Sequence, residues 1–218
     1  PIVFDADAQA HRLEALLSKE QMAQVRFVQG DVTSFDELDR CIAENGITHA
    51  IHLAALQVPA CAANPLLGAK VNIIGTLNIF EVARQRRDLV KRVVYASSAA
   101  VFGPQEFYGA GHVSEGAVLH PGTHYGVFKQ CNEGNARVYF QNDGISSAGL
   151  RAWAVYGVGR DQGITSGPTK AIKASVVGRP FTLKFTGQLD LQYVNDCARI
   201  FLRCAEEDLP GARTYTLR

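Results

Sequence analysis

Val93-Val94-Tyr95-Ala96-Ser97-Ser98 is an unbroken apolar run that turns small and polar at its carboxyl end. Such a run, without the alternation of a half-exposed strand, reads as a strand covered on both faces. The same design stands upstream in Ala50-Ile51-His52-Leu53-Ala54-Ala55, and between the two lies an amphipathic stretch from about Pro65 to Arg86 with helical spacing. A strand, a long helix and a second strand of this kind make a parallel crossover unit.

The pattern extends both ways. Upstream, Pro1 to Asp5 and Val25 to Val28 read as strands, the second closed by Gly30-Asp31. Residues around Ala8 to Lys19 carry Leu13, Leu16 and Leu17 at helical spacing. Thr33 or Ser34 caps a helix through Leu38 and Ile42 that stops near Asn45-Gly46, and a Pro-containing loop follows Ala55. Downstream, a Gly-rich loop leads into a helix that carries Tyr125 and runs to about Gln141, followed by a strand at Ala148 to Trp153. After Gly157 the pattern loosens: a loop to Gly167, a helix from Pro168 to Val177, a strand at Phe181 to Phe185 and a helix from Val194 to Ala205.

Alternating strands and helices predict an α/β fold, a doubly wound parallel sheet with ligands bound beyond the carboxyl ends of its strands. Residues 1–157 are expected to form the core and 158–218 a looser region with one helix returning to the core. The expected strand ends carry Asp5, Asp31, Leu53-Ala54-Ala55 and Ala96-Ser97-Ser98. Tyr125 and Lys129, four apart on one helix, share a face, so the ammonium can lie near the phenol and favour its ionised form.

Composition sets the outer limits. Hydrophobic residues make up 47% and charged residues 20% of the 218, and the net charge of +1 is spread along the chain, which calls for neither a nucleic-acid nor a membrane partner. Cys41, Cys61, Cys131, Cys197 and Cys204 are odd in number and lack metal-ligand spacing, so neither disulfides nor a metal site is expected. With no apolar run judged long enough to cross a bilayer and no signal-like start, a cytoplasmic protein is expected.

Taken in order and spacing, several motifs resemble those of the extended short-chain dehydrogenases/reductases, the NAD-dependent epimerase/dehydratase family. They are Gly30-Asp31-Val32, His52-Leu53-Ala54-Ala55, Val71-Asn72-Ile73-Ile74-Gly75-Thr76, Tyr95 through Gly103, Tyr125 with Lys129, and Leu150-Arg151 followed by Val155-Tyr156-Gly157. The resemblance implies a Rossmann fold, in which 158–218 corresponds to a partial substrate-binding region, and a set of roles. Asp5, with Asp7 as the alternative, accepts from the adenosine ribose and favours NAD over NADP. Asp31 and Val32 contact adenine, Leu53, Ala54 and Ala55 let the cofactor pass close to the backbone, and Ala96 lies beside it.

Ser98, with Ser97 as its neighbour candidate, Tyr125 and Lys129 correspond to the family's catalytic trio. Tyr125 exchanges a proton with a substrate hydroxyl, Lys129 lowers the phenol's pKa and holds the nicotinamide ribose, and Ser98 donates to the reacting oxygen. Substrate contacts are expected from Ser98, Ala99, Tyr125, Ala154, Arg160, Thr165 and Ser166, with His124 and Phe128 narrowing the pocket. The resemblance also implies a homodimer through the helices near 65–86 and 123–142.

Departures from the family narrow the substrate. Ala154 and Leu189 stand where its nucleotide-sugar enzymes carry an Asn and an Arg that grip a diphosphate, which points to a smaller sugar, sugar acid or polyol. The family's first strand and Gly-rich phosphate turn have no counterpart, since the chain opens on what resembles the second strand. A fragment of a functional enzyme is expected. The alternatives are a truncated, inactive Rossmann-like scaffold and a nucleotide-sugar epimerase or dehydratase.

Overall fold

The computed structural model describes residues 1–7, 11–184 and 190–217. Its elements, in chain order, begin with β1 (Ile2–Asp5), α1 (His11–Glu14), α2 (Lys19–Met22), β2 (Arg26–Gln29), α3 (Phe35–Glu44), β3 (His49–His52) and α4 (Val58–Ala63). They continue with α5 (Pro65–Ala69), a π-helical turn at Lys70–Ile74, α6 (Gly75–Gln85), β4 (Arg92–Ser98), α7 (His124–Asp143) and β5 (Ser147–Ala152). The last are β6 (Ala154–Tyr156), α8 (Gly167–Val176), β7 (Leu191–Tyr193), α9 (Val194–Glu206) and β8 (Ala212–Thr216).

The central sheet is parallel throughout, in the order β3-β4-β5-β8. β4 shows why it is covered twice. Val93 and Tyr95 pack with Leu38, Ile42, Ile79, Phe80, Val82 and Ala136 from α3, α6 and α7, whereas Val94 packs with Ala148, Leu150, Cys197, Cys204 and Leu217, on the side of α9. Side chains alternate across a strand, so an unbroken apolar run supplies two cores at once. This is the doubly wound arrangement. β1 and β2 pair with each other as a separate two-stranded parallel sheet, with no ladder to β3 among the described residues.

Several local expectations are corrected. The helix read at Ala8 to Lys19 is two short pieces among its described residues, because Ser18 starts α2 with a reciprocal capping box to Gln21. The Pro-containing loop after β3 forms α4, with Pro59 in its first turn, where a missing N–H is tolerated. No strand forms at 181–184, and Phe185 lies outside the described residues; β7 pairs with β6 instead. β8 was unforeseen, and it adds the fourth strand of the central sheet beside β5.

Pro65–Gln85, continuous through the π turn, is by length and composition apolar enough to cross a bilayer, contrary to the sequence reading. Its packing is that of a core helix. Asn72 and Thr76 are buried and hydrogen-bonded inside the molecule, and Ile79, Phe80, Val82 and Ala83 belong to the core.

Candidate active site

The carboxyl end of β4 and the first turn of α7 meet at Ser98 and Tyr125. Ser98 caps the tight turn Ala99–Val101, its Oγ accepting from the Ala100 amide at 3.1 Å. Across from it, Thr123 caps α7 by accepting from the Gly126 amide at 3.1 Å. A Cβ on Gly126 would lie 2.2 Å from the Ala100 carbonyl oxygen, so only glycine lets these turns touch. The close approach brings Tyr125 beside Ser98, whose hydroxyl favours the ionised phenol. Ser98 Oγ accepts from Ala100 and so keeps its own proton to donate.

Lys129, one turn along α7, is 4% exposed. Its Nζ donates to the Ala96 carbonyl at 2.6 Å and lies 5.5 Å from the centre of the Tyr125 ring. Burial lowers its pKa to about 8. The expectation that Lys129 draws the phenol's pKa down is not what the geometry does. Burial raises the Tyr125 pKa, and the lowering influences are the neighbouring Ser98 hydroxyl and the charge of Arg160. The lysine sits over the ring face with its charge directed at a backbone carbonyl.

A buried polar network supports this helix and strand. Asn72 holds both backbone groups of Leu56, with Oδ1 accepting from its amide at 2.7 Å and Nδ2 donating to its carbonyl at 2.9 Å. The Asn72 carbonyl accepts from Asn132 Nδ2 of α7 and from Thr76 Oγ1, each at 2.8 Å. Thr76 thereby spends its only proton, so the 3.1 Å contact to His52 Nε2 requires that nitrogen to carry the hydrogen. Burial first, and the Lys129 charge second, hold His52 neutral, with a pKa of about 3.

A second network underlies Ser97. Its Oγ donates to Glu133 Oε1 at 2.6 Å, and Arg151 of β5 grips the same carboxylate through Nε at 2.8 Å and Nη2 at 2.7 Å. The Arg151 and Glu133 side chains are 7% and 8% exposed. Ser97 is therefore committed to the scaffold, which leaves Ser98 as the serine facing Tyr125. Glu133, Asn132 and the supporting roles of Asn72 and Arg151 were missed in the sequence. Glu133 stands four residues after Lys129 on α7, a spacing that could have flagged it.

The residues expected to hold a cofactor lie at other strand ends. Asp5 closes β1, exposed, with its Oδ1 accepting from the Asp7 amide at 2.9 Å. Asp31 follows β2, and the Thr33 amide on its carboxylate lowers its pKa. Val32 packs close to Gly75 and accepts at its carbonyl from Asn78. Leu53 is 60% exposed beyond β3, with the small Ala54 and Ala55 beside it. An exposed carboxylate, an open small-residue strand end and the Tyr125–Lys129 face together fit the ribose and nicotinamide ends of a dinucleotide.

On the substrate side, Arg160 Nη2 donates to Thr165 Oγ1 at 2.9 Å, and Ser166 Oγ turns back onto the Gly163 carbonyl at 2.8 Å. Ala99 follows Ser98 directly and is half-buried; Ala154 is buried in β6 and offers no polar side-chain atom. Leu189 lies outside the described residues. His124 and Phe128 stack at 6.0 Å, and Phe128 is buried against Gly68 of α5, a helix-packing position.

A doubly wound parallel sheet with a serine at one strand end facing a tyrosine and lysine on the next helix is the arrangement of the extended short-chain dehydrogenase/reductase class. The chain belongs to the NAD-dependent epimerase/dehydratase family, whose family model matches residues 2–217. An uncharacterised protein of Methanocaldococcus jannaschii is 32% identical over 186 residues, 84% of this chain and 55% of the relative. The UDP-glucose 4-epimerase of Mycolicibacterium smegmatis is 28% identical over 204 residues, 90% of this chain and 63% of that protein. Among solved structures, a GalE-like L-threonine dehydrogenase from Cupriavidus necator in its holo form superposes with a TM-score of 0.83 at 25% identity, covering 99% of this chain and 77% of the other. The chain thus spans less than two thirds of the length of these two relatives.

Proposed function

We propose that this chain is the catalytic part of an NAD-dependent oxidoreductase or epimerase acting on the secondary alcohol, or the ketone, of a small sugar, sugar acid or polyol. The observation that carries the reading is the meeting of Ser98, Tyr125 and Lys129 at the carboxyl end of β4. A structural role for these residues does not call for a buried lysine whose charge is disfavoured.

Bound NAD supplies the acceptor and donor of hydride. Asp5 would hold its adenosine ribose, Asp31 and Val32 its adenine, and Lys129 its nicotinamide ribose, while Leu53, Ala54, Ala55 and Ala96 leave room for it. In oxidation, the carbinol O–H proton passes to Tyr125, whose ionised form the Ser98 hydroxyl and the Arg160 charge favour against its burial, as the carbinol hydrogen leaves with the C–H electron pair, and a ketone remains. Ser98 donates its free proton to the same oxygen and limits the charge that accumulates there. In epimerisation the hydride returns to the opposite face of the same carbon, and Tyr125 returns the proton.

The absence of a polar side chain at Ala154 supports a substrate smaller than a sugar nucleotide. The L-threonine dehydrogenase likeness supports it too, since that substrate is a small hydroxy compound. The epimerase relative favours a nucleotide sugar as the second reading. Incubation with NAD and a panel of polyols and sugar acids, read as NADH formed and as altered stereochemistry, tests the proposal; UDP-glucose in the same panel decides between the readings. We also propose a homodimer through the continuous helix Pro65–Gln85 and α7, which expose Leu66, Leu67, Ile74, Val127 and Val138. Light scattering at twice the chain mass is the expected result.

A further inference from the structure

Two loops leave the carboxyl ends of different strands and meet each other, with Arg160 on one of them within electrostatic reach of Tyr125. One follows β3 and carries Gln57, the residue that precedes α4. The other joins β6 to α8 and carries Arg160, Gly163 and Thr165. Their meeting point is Gly163, whose φ of 86° and ψ of 167° belong to a region open to glycine alone. A Cβ there would lie 2.1 Å from Gln57 Oε1 and 3.3 Å from Arg160 Nη2, so the amide and the guanidinium converge on one spot.

Arg160 is incompletely used within the chain. Nη2 donates to Thr165, but Nε is buried without a hydrogen-bond partner. A buried N–H of a charged group left unmatched costs free energy, and such an atom beside a reaction centre is a candidate for a ligand's acceptor. Nε and the second N–H of Nη2 form the edge of the guanidinium that takes a carboxylate through two parallel bonds. The Arg160 charge also acts on the Tyr125 phenol, which places it within electrostatic reach of the reacting oxygen.

We propose that Arg160, steadied by Thr165 and faced by Gln57, anchors the carboxylate of a hydroxy-acid substrate whose carbinol is presented to Tyr125. This selects the acid members of the substrate class proposed above, and it rests on that reading for the reaction but not for the binding. A carboxylate supplies the acceptor that Arg160 Nε lacks within the chain, and the Gln57 amide, whose Oε1 faces this spot in the unliganded chain, turns its Nε2 toward the anion as a further donor. An uncharged polyol of the same carbon skeleton leaves the edge unmatched.

Calorimetric titration of the chain in the presence of NAD tests the anchor, with glycerate, threonate and gluconate each paired against glycerol, threitol and glucitol. At least one acid is expected to bind about tenfold or more tighter than its polyol, the scale of one charge-assisted bidentate contact. Arg160→Gln is expected to abolish that preference, and Arg160→Lys to restore only part of it. Gln57→Ala, on the other loop, is expected to weaken the acid severalfold and leave the polyol unchanged, so a fold defect in the Arg160 variant cannot decide the matter. Equal binding of every pair, no measurable binding of any acid, or a preference that survives Arg160→Gln overturns the anchor. An Arg160-dependent acid preference without hydride transfer upholds the anchor and removes the oxidoreductase reading. Equal turnover of acids and polyols does the reverse.

Discussion

The Nζ of Lys129 donates to the carbonyl of Ala96 at 2.6 Å, two residues before Ser98 on the same strand. One bond thus ties α7 to β4 where their reactive side chains must face each other, while the ammonium lies over the Tyr125 ring. The lysine is buried against its own preference for water, which holds its pKa near 8, from 10.5. A site that keeps a destabilising charge invites a test of what the charge is for.

Lys129→Met removes a buried charge and one hydrogen bond. At neutral pH the charge costs stability, on the order of 3 kcal/mol from its shift, while the orphaned Ala96 carbonyl costs roughly 1–3 kcal/mol. The variant should therefore melt within a few degrees of the parent or above it, and should show no turnover; thermal unfolding at pH 7 reads the first. Between about pH 8 and 10.5 the unfolded chain holds the Lys129 proton and the folded chain does not, so this group makes the parent more stable as pH rises through that window. Lys129→Met should lack that rise.

His52 gives the opposite end of the profile. Folded, it stays neutral down to about pH 3, whereas unfolded it takes a proton near 6.5. Below 6.5 the unfolded state binds more protons, so the His52 contribution is full above 6.5 and is lost as pH falls toward 3. The full loss is on the order of 5 kcal/mol, of which about 3 kcal/mol is reached by pH 4. Urea unfolding at pH 7 and pH 4 should show it, and His52→Gln should flatten that part of the curve.

Gly126→Ala tests the contact that seats Tyr125. The new methyl meets the Ala100 carbonyl oxygen, which is backbone and cannot swing aside, so α7 and the Ala99–Val101 turn must part. Destabilisation of roughly 2–3 kcal/mol is expected from overpacking. A loss of turnover well beyond the loss of folded protein should accompany it, measured at a temperature where circular dichroism shows the variant folded.

Much of the fold was legible because β4 and the long helices carry unambiguous periods. An apolar run buried on both faces, as at Val93 to Ser98, and Tyr125 on a capped helix leave little choice of topology. The short pieces were not legible. α4 was hidden by its proline, and β8, with Arg213, Thr214 and Thr216 among its five residues, becomes a strand through pairing with β5 rather than through its own pattern. At the site, the family resemblance singled out Ser98, Tyr125 and Lys129, and the loop after Gly157 suggested Arg160 and Thr165; the structure places the first three around the end of β4 and the other two in the β6–α8 loop. They could not show direction. Whether the Lys129 charge reaches the phenol oxygen or a carbonyl depends on packing, and the Glu133 pairings with Ser97 and Arg151 join residues far apart in the chain.

The central claim is that Tyr125 carries the proton while hydride moves at a carbinol carbon. Its most direct test compares the parent with Tyr125→Phe for NADH formation and substrate stereochemistry, with NAD affinity measured by calorimetry on both. The account predicts NAD affinity within a few-fold and turnover reduced by about 100-fold or more, the scale of a lost general acid–base group. Unchanged turnover in Tyr125→Phe, or NAD binding by neither protein, would contradict it.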